Sequence, residues 1–186
     1  MAPEDHPARA LSFGGIAEDY DRFRPGPPVA AVEWILRGRC ATAVDIGAGT
    51  GALTRLLVLQ ARRVVAVEPD RRMAVVLAAR VPDASVVAGR AEELPLGAGS
   101  VDALMGSSMW HWVEQERAAS EAARVLRPGG VLGVLWSGPD RTQPWVAELL
   151  GRSERIVRSP DQRPPRHRHE LHLPAGAPFS DRKSVV

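Results

Sequence analysis

In the stretch VDIGAGTG (44–51) an aspartate, Asp45, interrupts an apolar run, and glycines follow at positions 47, 49 and 51. Glycine admits positive φ and lets a ligand approach the backbone where any Cβ would collide. These glycines fall where a strand turns into a helix, whose first N–H groups lack intrahelical partners. Glu68 ends the next apolar run, 21 residues after Gly47, where an acid can accept bonds from ribose hydroxyls. Together these residues describe a pocket for a nucleoside-bearing ligand.

Charge narrows the choice of ligand. The dinucleotide fingerprint is G-x-G-x-x-G, whereas this chain reads G-A-G-T-G. A pyrophosphate sits poorly next to a carboxylate, because like charges disfavour one another, and Asp45 precedes the turn by two residues. An acid there suits a cationic or zwitterionic ligand. S-adenosylmethionine fits, with its sulfonium, ammonium, carboxylate and ribose diol and no phosphate. An NAD(P)-dependent oxidoreductase is the competing reading from another reaction class.

The elements that must hold these groups alternate along the chain. AEDYDRF (17–23) makes one or two helical turns, and a helix beginning at Pro27 or Pro28 stops at Gly38. Strands are expected at 41–47, 63–69, 84–89, 101–108 and 130–137, and helices at 52–61, 70–81, 114–126 and 144–157. Asp70 is the expected N-cap of the second of these helices. Apolar strands alternating with amphipathic helices imply an α/β fold: a doubly wound, Rossmann-like, mostly parallel sheet with helices on both faces. Its ligand site lies beyond the carboxyl ends of the strands.

Four motifs in order, VDIGAGTG, VVAVEPD, RAEELPLGAGSVDAL and RVLRPGGVLGVLW, resemble those of class I S-adenosylmethionine-dependent methyltransferases of the small-molecule type, over residues 11–150. The lead-in SFGGIAEDYDRFRPGPP and the later SMWHWV are similar to a subgroup that includes trans-aconitate methyltransferase-like proteins. The resemblance implies a methionine-side loop of Asp45, Gly47, Ala48, Gly49 and Gly51, and ribose contact by Glu68. It also implies that Pro69 and Asp70 flank the ribose and adenine, that the Ala91 backbone N–H meets the adenine ring, and that Glu92 lies near the exocyclic amine. Many relatives carry Asp where this chain has Arg90, so the resemblance implies either that the amine contact passes to Glu92, with Glu93 as its competitor, or that adenine selectivity is weaker.

Other residues are assigned on weaker grounds. His111 lies between Trp110 and Trp112, just past the fourth strand, and has a side-chain pKa suited to a general base; a structural histidine in a packed loop is the plainer alternative. Trp110 and Trp112 can wall a substrate or a sulfonium, or serve the core. Tyr20 and Arg24 belong to a segment that covers the cofactor in relatives, and Arg24 suits a substrate carboxylate or a surface ion pair. Methyl transfer from sulfonium is an in-line displacement that needs positioning more than any metal or covalent intermediate.

Composition is that of a globular protein, 45% apolar and 25% charged over 186 residues. No apolar run approaches the roughly 20 residues that span a bilayer, and MAPEDHPARA lacks the pattern of a signal peptide. The single Cys40 excludes an internal disulfide and offers no metal-ligand spacing. Residues 1–150 carry 16 Arg against 18 Asp and Glu, so the basic excess belongs to the tail rather than to a nucleic-acid surface. A cytoplasmic enzyme acting on a small molecule, away from membranes and nucleic acid, is expected.

The expected organisation is a cap segment at 1–26, a methyltransferase domain at 27–157 and a Pro/Arg/His-rich, solvated tail at 158–186. PPRHRHELH (164–172) fits no standard metal site. Members of this fold continue to a sixth and seventh strand, and no convincing strand pair follows residue 157. The last six residues, DRKSVV, match one reading frame of a common sequencing adapter and read as non-biological. A truncated cofactor-binding fragment, with its fifth strand left as an open edge, is therefore a further alternative.

Overall fold

β-branched runs bounded by glycine, proline and charge form a sheet in the computed structural model, which describes residues 11–38, 40–138 and 142–156, and singly 173, 177 and 179. A 3-10 turn (Leu11–Ile16) leads into α1 (Ala17–Phe23) and α2 (Val29–Leu36). Then come β1 (Cys40–Ile46), α3 (Thr54–Gln60), β2 (Ala61–Val67), α4 (Arg71–Arg80), β3 (Ser85–Val87) and β4 (Val101–Ser107). A second 3-10 turn (Trp110–Trp112) precedes α5 (Gln115–Val125), β5 (Leu126–Leu135) and α6 (Pro144–Ile156).

The strand order is β3-β2-β1-β4-β5, every pairing is parallel, and the helices cover both faces. The sheet is thus of the expected doubly wound class. Winding reverses between β1 and β4, which opens a crevice beyond their carboxyl ends. Val32, Leu53 and Leu57 pack on Ala43, Val64, Ala103 and Met105, while Leu77 of α4 packs on Ala48 and Ala66.

Local chemistry explains most boundaries. Asp70 caps α4 by accepting the Arg72 N–H at 2.9 Å. α2 ends at Arg37, in the left-handed region at φ 49, followed by Gly38 at φ 124. Several boundaries differ from the sequence reading: β2 spans Ala61–Val67 rather than 63–69, and β3 Ser85–Val87 rather than 84–89. α3 starts at Thr54 rather than 52, because Gly51 at φ 92 keeps the preceding residues in a turn. β5 starts at Leu126 rather than 130 and takes in Pro128, Gly129 and Gly130, with a register shift opposite Val101 and Ala103. Proline lacks a ladder N–H but is accepted where a strand is paired on one side, as β5 is among the described residues.

α6 with its flanks is the described part of a second unit and begins with the Ala147 N–H donated to Gln143 O at 3.0 Å. The readings of strands beyond the fifth, of the tail and of PPRHRHELH fall outside the described residues.

At the amino end of the sheet Asp102 is buried, accepts the Thr42 N–H at 2.6 Å and pairs with Arg127. Asp102→Ala leaves that N–H without a partner and should lower stability by about 1–3 kcal/mol in urea unfolding. A loss below about 0.5 kcal/mol, the ordinary range for a surface change, would contradict this role.

Candidate functional site

The carboxyl end of β1 delivers Asp45 into an interior that is almost dry; its side chain belongs to a residue only 1% exposed. Thr54, in the first turn of α3, donates its hydroxyl to Asp45 Oδ2 at 2.6 Å, while Oδ1 is buried with no hydrogen-bond partner. Burial pushes the Asp45 carboxyl up to about 7; the Thr54 hydroxyl opposes the shift and the charge of Glu68 adds to it. A buried acceptor oxygen without a donor costs free energy, so this one marks a place where an incoming cation or N–H is favoured.

Between Asp45 and Thr54 runs the glycine loop. Gly47 and Gly49 adopt φ of 59 and 56, left-handed values that cost a side-chain-bearing residue energy. A Cβ on Gly47 would come within 2.9 Å of the Met109 side chain, whereas one on Gly49 would meet nothing within 4 Å. The loop is thus packed from beneath at Gly47 and open at Gly49. The Ala48 N–H is donated to Val67 O at 3.2 Å, which ties the loop to β2.

Glu68 stands at the end of β2, 6% exposed. Its carboxylate accepts the Gly49 N–H at 2.7 Å and the Asp70 N–H at 2.8 Å. Burial raises its pKa and the Asp70 charge adds to this, against the two N–H bonds. Asp70 is buried, while Pro69 between the two acids is exposed. Arg72 hydrogen-bonds to Asp70 at 2.7 Å and outweighs burial, holding the Asp70 carboxyl below its usual range.

A cleft with about 50 Å³ of free volume lies over the loop. Its walls include Asp45, Gly47 and Gly49 on one side, Tyr20 and Arg24 on another, and Ser107 and Ser108 at the end of β4. A second cleft of about 350 Å³, beyond β3, is lined by Gly89, Arg90, Glu93, Leu94 and Pro95. Ala91, next in the chain to Arg90, is buried. The Glu92 carboxylate accepts the Glu114 N–H at 3.0 Å, with Arg90 at 3.7 Å from its other oxygen.

The structure therefore gathers Asp45, Gly47, Ala48, Gly49, Tyr20 and Arg24 around one cleft, with Glu68 bonded to its floor. Gly51 is turned inward against Leu77 and Val81. Trp110 is fully buried, which leaves half-buried Trp112 and His111, their rings 4.8 Å apart, as the part of that motif with accessible surface. None of these three lines the first cleft. Ser107, Ser108 and Thr50 do line it and were missed from sequence. The signal was the small polar pair ending β4 next to the winding reversal; Ser108 also sits at φ 55, a strained value for a non-glycine residue. Among the described residues no group of three or more His, Cys, Asp or Glu is placed to hold a metal, and no helix is long and apolar enough to cross a membrane.

The Asp45 shift has a sign that can be tested. Its folded-state pKa is raised, so its destabilising effect is absent below the ordinary carboxylate value of about 3.9 and is complete above about 7. Asp45→Asn should raise the melting temperature of the ligand-free protein by at least about 3 °C at pH 8, and by much less at pH 5. Equal shifts at the two pH values, or a fall at pH 8, would contradict the burial account.

Residues 44–134 match the family model described as a methyltransferase domain. An uncharacterized methyltransferase of Mycobacterium tuberculosis is 45% identical over 152 residues, 80% of this chain and 63% of that protein, so the chain spans less than two thirds of this relative. A solved candidate type II methyltransferase from Anaeromyxobacter dehalogenans is 31% identical, with a TM-score of 0.62 over 70% of this chain and 56% of that one. A geranyl diphosphate methyltransferase solved in complex with S-adenosylmethionine shares the fold at 21% identity and a TM-score of 0.52, covering 68% of this chain and 57% of the other. The parallel sheet and these matches agree: residues 44–134 match the methyltransferase domain family, and the chain is similar in sequence and fold to class I methyltransferases.

Proposed function

We propose that this chain binds S-adenosylmethionine and transfers its methyl group to a small-molecule acceptor by in-line displacement. The observation that carries this reading is the buried Asp45 oxygen without a donor, at the edge of a cleft floored by glycine. A carboxylate so placed gains most from a nearby cation, and S-adenosylmethionine presents an ammonium and a sulfonium. A phosphate-bearing cofactor would place like charges together.

The residues divide the work. Asp45 takes the ammonium, and the backbone of Gly47, Ala48, Gly49 and Gly51 gives the methionyl chain room. Glu68 exchanges one of its N–H partners for the ribose hydroxyls, with Pro69 and Asp70 beside them. The Ala91 N–H and Glu92, which in the chain lie between the cleft-lining Arg90 and Glu93, are the adenine-side groups. Glu92 must then share its carboxylate between the base and the Glu114 N–H. Bound cofactor supplies a methyl group on a sulfonium, and the protein's task is to align the acceptor behind that carbon. Tyr20, Arg24 and Trp112 are the acceptor-side residues, with Trp110 as their buried support. His111 removes a proton when the acceptor is a hydroxyl or amine. The acceptor is soluble and the setting cytoplasmic in this reading, with neither nucleic acid nor membrane as partner.

Titration calorimetry with S-adenosylhomocysteine and NADH tests the cofactor. S-adenosylhomocysteine should bind and NADH should not; the reverse would overturn the reading. Glu68→Gln should weaken S-adenosylhomocysteine by about tenfold or more, as loss of a charged hydrogen-bond partner does. Over a panel of carboxylate, hydroxyl and amine acceptors, His111→Ala should slow methyl release while leaving S-adenosylhomocysteine affinity within about twofold. Unchanged turnover would remove His111 from the catalytic residues.

A further inference from the structure

The α1 wall of the cleft is fastened by a side chain that does not face the cleft. Asp21 follows Tyr20 on α1, and its carboxylate, only 10% exposed, pairs with Arg55 of α3 and lies 3.4 Å from Nε of Arg80 at the end of α4. The Thr50 side chain, buried in the middle of the glycine loop, favours the charged form of the same carboxylate. Arg55 also reaches the Thr50 carbonyl oxygen at 3.4 Å. One acid therefore joins α1 to two helices and, through Arg55, to the loop itself. Burial alone would raise the Asp21 carboxyl, but the bonds from Arg55 and Thr50 and the charges of Arg55 and Arg80 hold it below its usual value.

Why the fastening matters follows from the size of α1. It has seven residues, too few to be stable alone in water, so contacts with the rest of the protein fix its position. Tyr20 lies on it and Arg24 caps its end one turn later; the Arg24 N–H is donated to Tyr20 O at 2.9 Å and its guanidinium stands 5.8 Å from the ring centroid. Both line the cleft over the loop. The free volume under them, about 50 Å³, is well short of the roughly 300 Å³ at which ligand pockets begin. The position of this wall therefore sets how much room the amino-acid end of a ligand finds over the loop.

We propose that Asp21 is a positioning residue for the methionyl half of the cofactor cleft: by joining α1 to Thr50, Arg55 and Arg80 it holds Tyr20 and Arg24 over the glycine loop and sets how readily that wall opens. This rests on the cofactor reading above. Exposed ion pairs contribute little, but this carboxylate is nearly buried, with charge-assisted bonds, which are stronger. Asp21 touches no cofactor atom in this account, so its effect must be confined to the end of the ligand that the wall covers.

Ligand pairs separate that effect from general damage. S-adenosylhomocysteine carries the amino-acid chain beneath the wall, and 5′-methylthioadenosine lacks it. Asp21→Asn should weaken S-adenosylhomocysteine by about tenfold, the loss expected for a charged hydrogen bond, and leave 5′-methylthioadenosine within about twofold. Arg80→Ala should act in the same direction and less strongly. Hydrogen exchange on the ligand-free protein should speed up over residues 17–24 in Asp21→Asn and stay unchanged over β1 and β4. Equal losses for the two ligands, no loss for either, or unchanged exchange at 17–24 would overturn the proposal. A wild-type chain that binds neither ligand would overturn the cofactor reading, and this inference with it.

Discussion

A carboxylate at the end of an apolar strand is costly, and Asp45 is held there by one hydroxyl from nine residues ahead. That bond closes the loop from β1 to α3, and the loop can be so short only because Gly47 and Gly49 take left-handed φ. Met109 fills the space under Gly47, and Leu77 and Val81 fill that under Gly51. The acid is thus fixed by packing as well as by hydrogen bonding, and its second oxygen has no donor among the described residues. Stability is given up locally to keep a charge ready, a pattern common at functional sites.

The rest of the molecule extends that arrangement outward. Parallel pairing of β1 with β2 brings Glu68 to the floor of the loop, where it ties Gly49 to Asp70. Pairing of β1 with β4 brings Ser107 and Ser108 to the other rim. Beyond β3, the segment around Leu94 is held by α5: Glu121 accepts the Leu94 N–H at 2.7 Å, and Arg124 donates to the carbonyls of Leu94 and Leu96. Two clefts, one small and wet with charge and one larger beside β3, lie along the carboxyl edge of a single sheet, which suits a ligand with a charged end and a nucleobase end.

Much of this was legible in the sequence because it depends on local order. Glycine at 47, 49 and 51, an acid two residues earlier and another after the next strand are marks on a line, and the fold sets them side by side. Asp70 as a cap and the alternation of strands and helices were readable for the same reason. Through-space partners were not. Asp21 gives no signal in AEDYDRF that it will meet Thr50, Arg55 and Arg80, and nothing in the chain order says that Glu92 will accept the Glu114 N–H. Trp110 and Trp112 look equivalent in sequence, yet the short 3-10 turn buries the first completely and leaves the second half exposed. β5 begins early because its partner strand shifts register, a tertiary adjustment that overrides the breaking tendency of Pro128 and its two glycines.

If Asp45 meets the ligand's positive charge, binding must depend on pH. With a carboxyl raised to about 7 in the free protein, a ligand that favours the carboxylate should bind more tightly as pH rises from about 6 to 8, releasing a proton as it does so. Calorimetric affinities of S-adenosylhomocysteine should therefore climb across that range, whereas those of 5′-methylthioadenosine, which lacks the ammonium, should stay level. Level affinities for both ligands, or a decline for S-adenosylhomocysteine, would contradict the account.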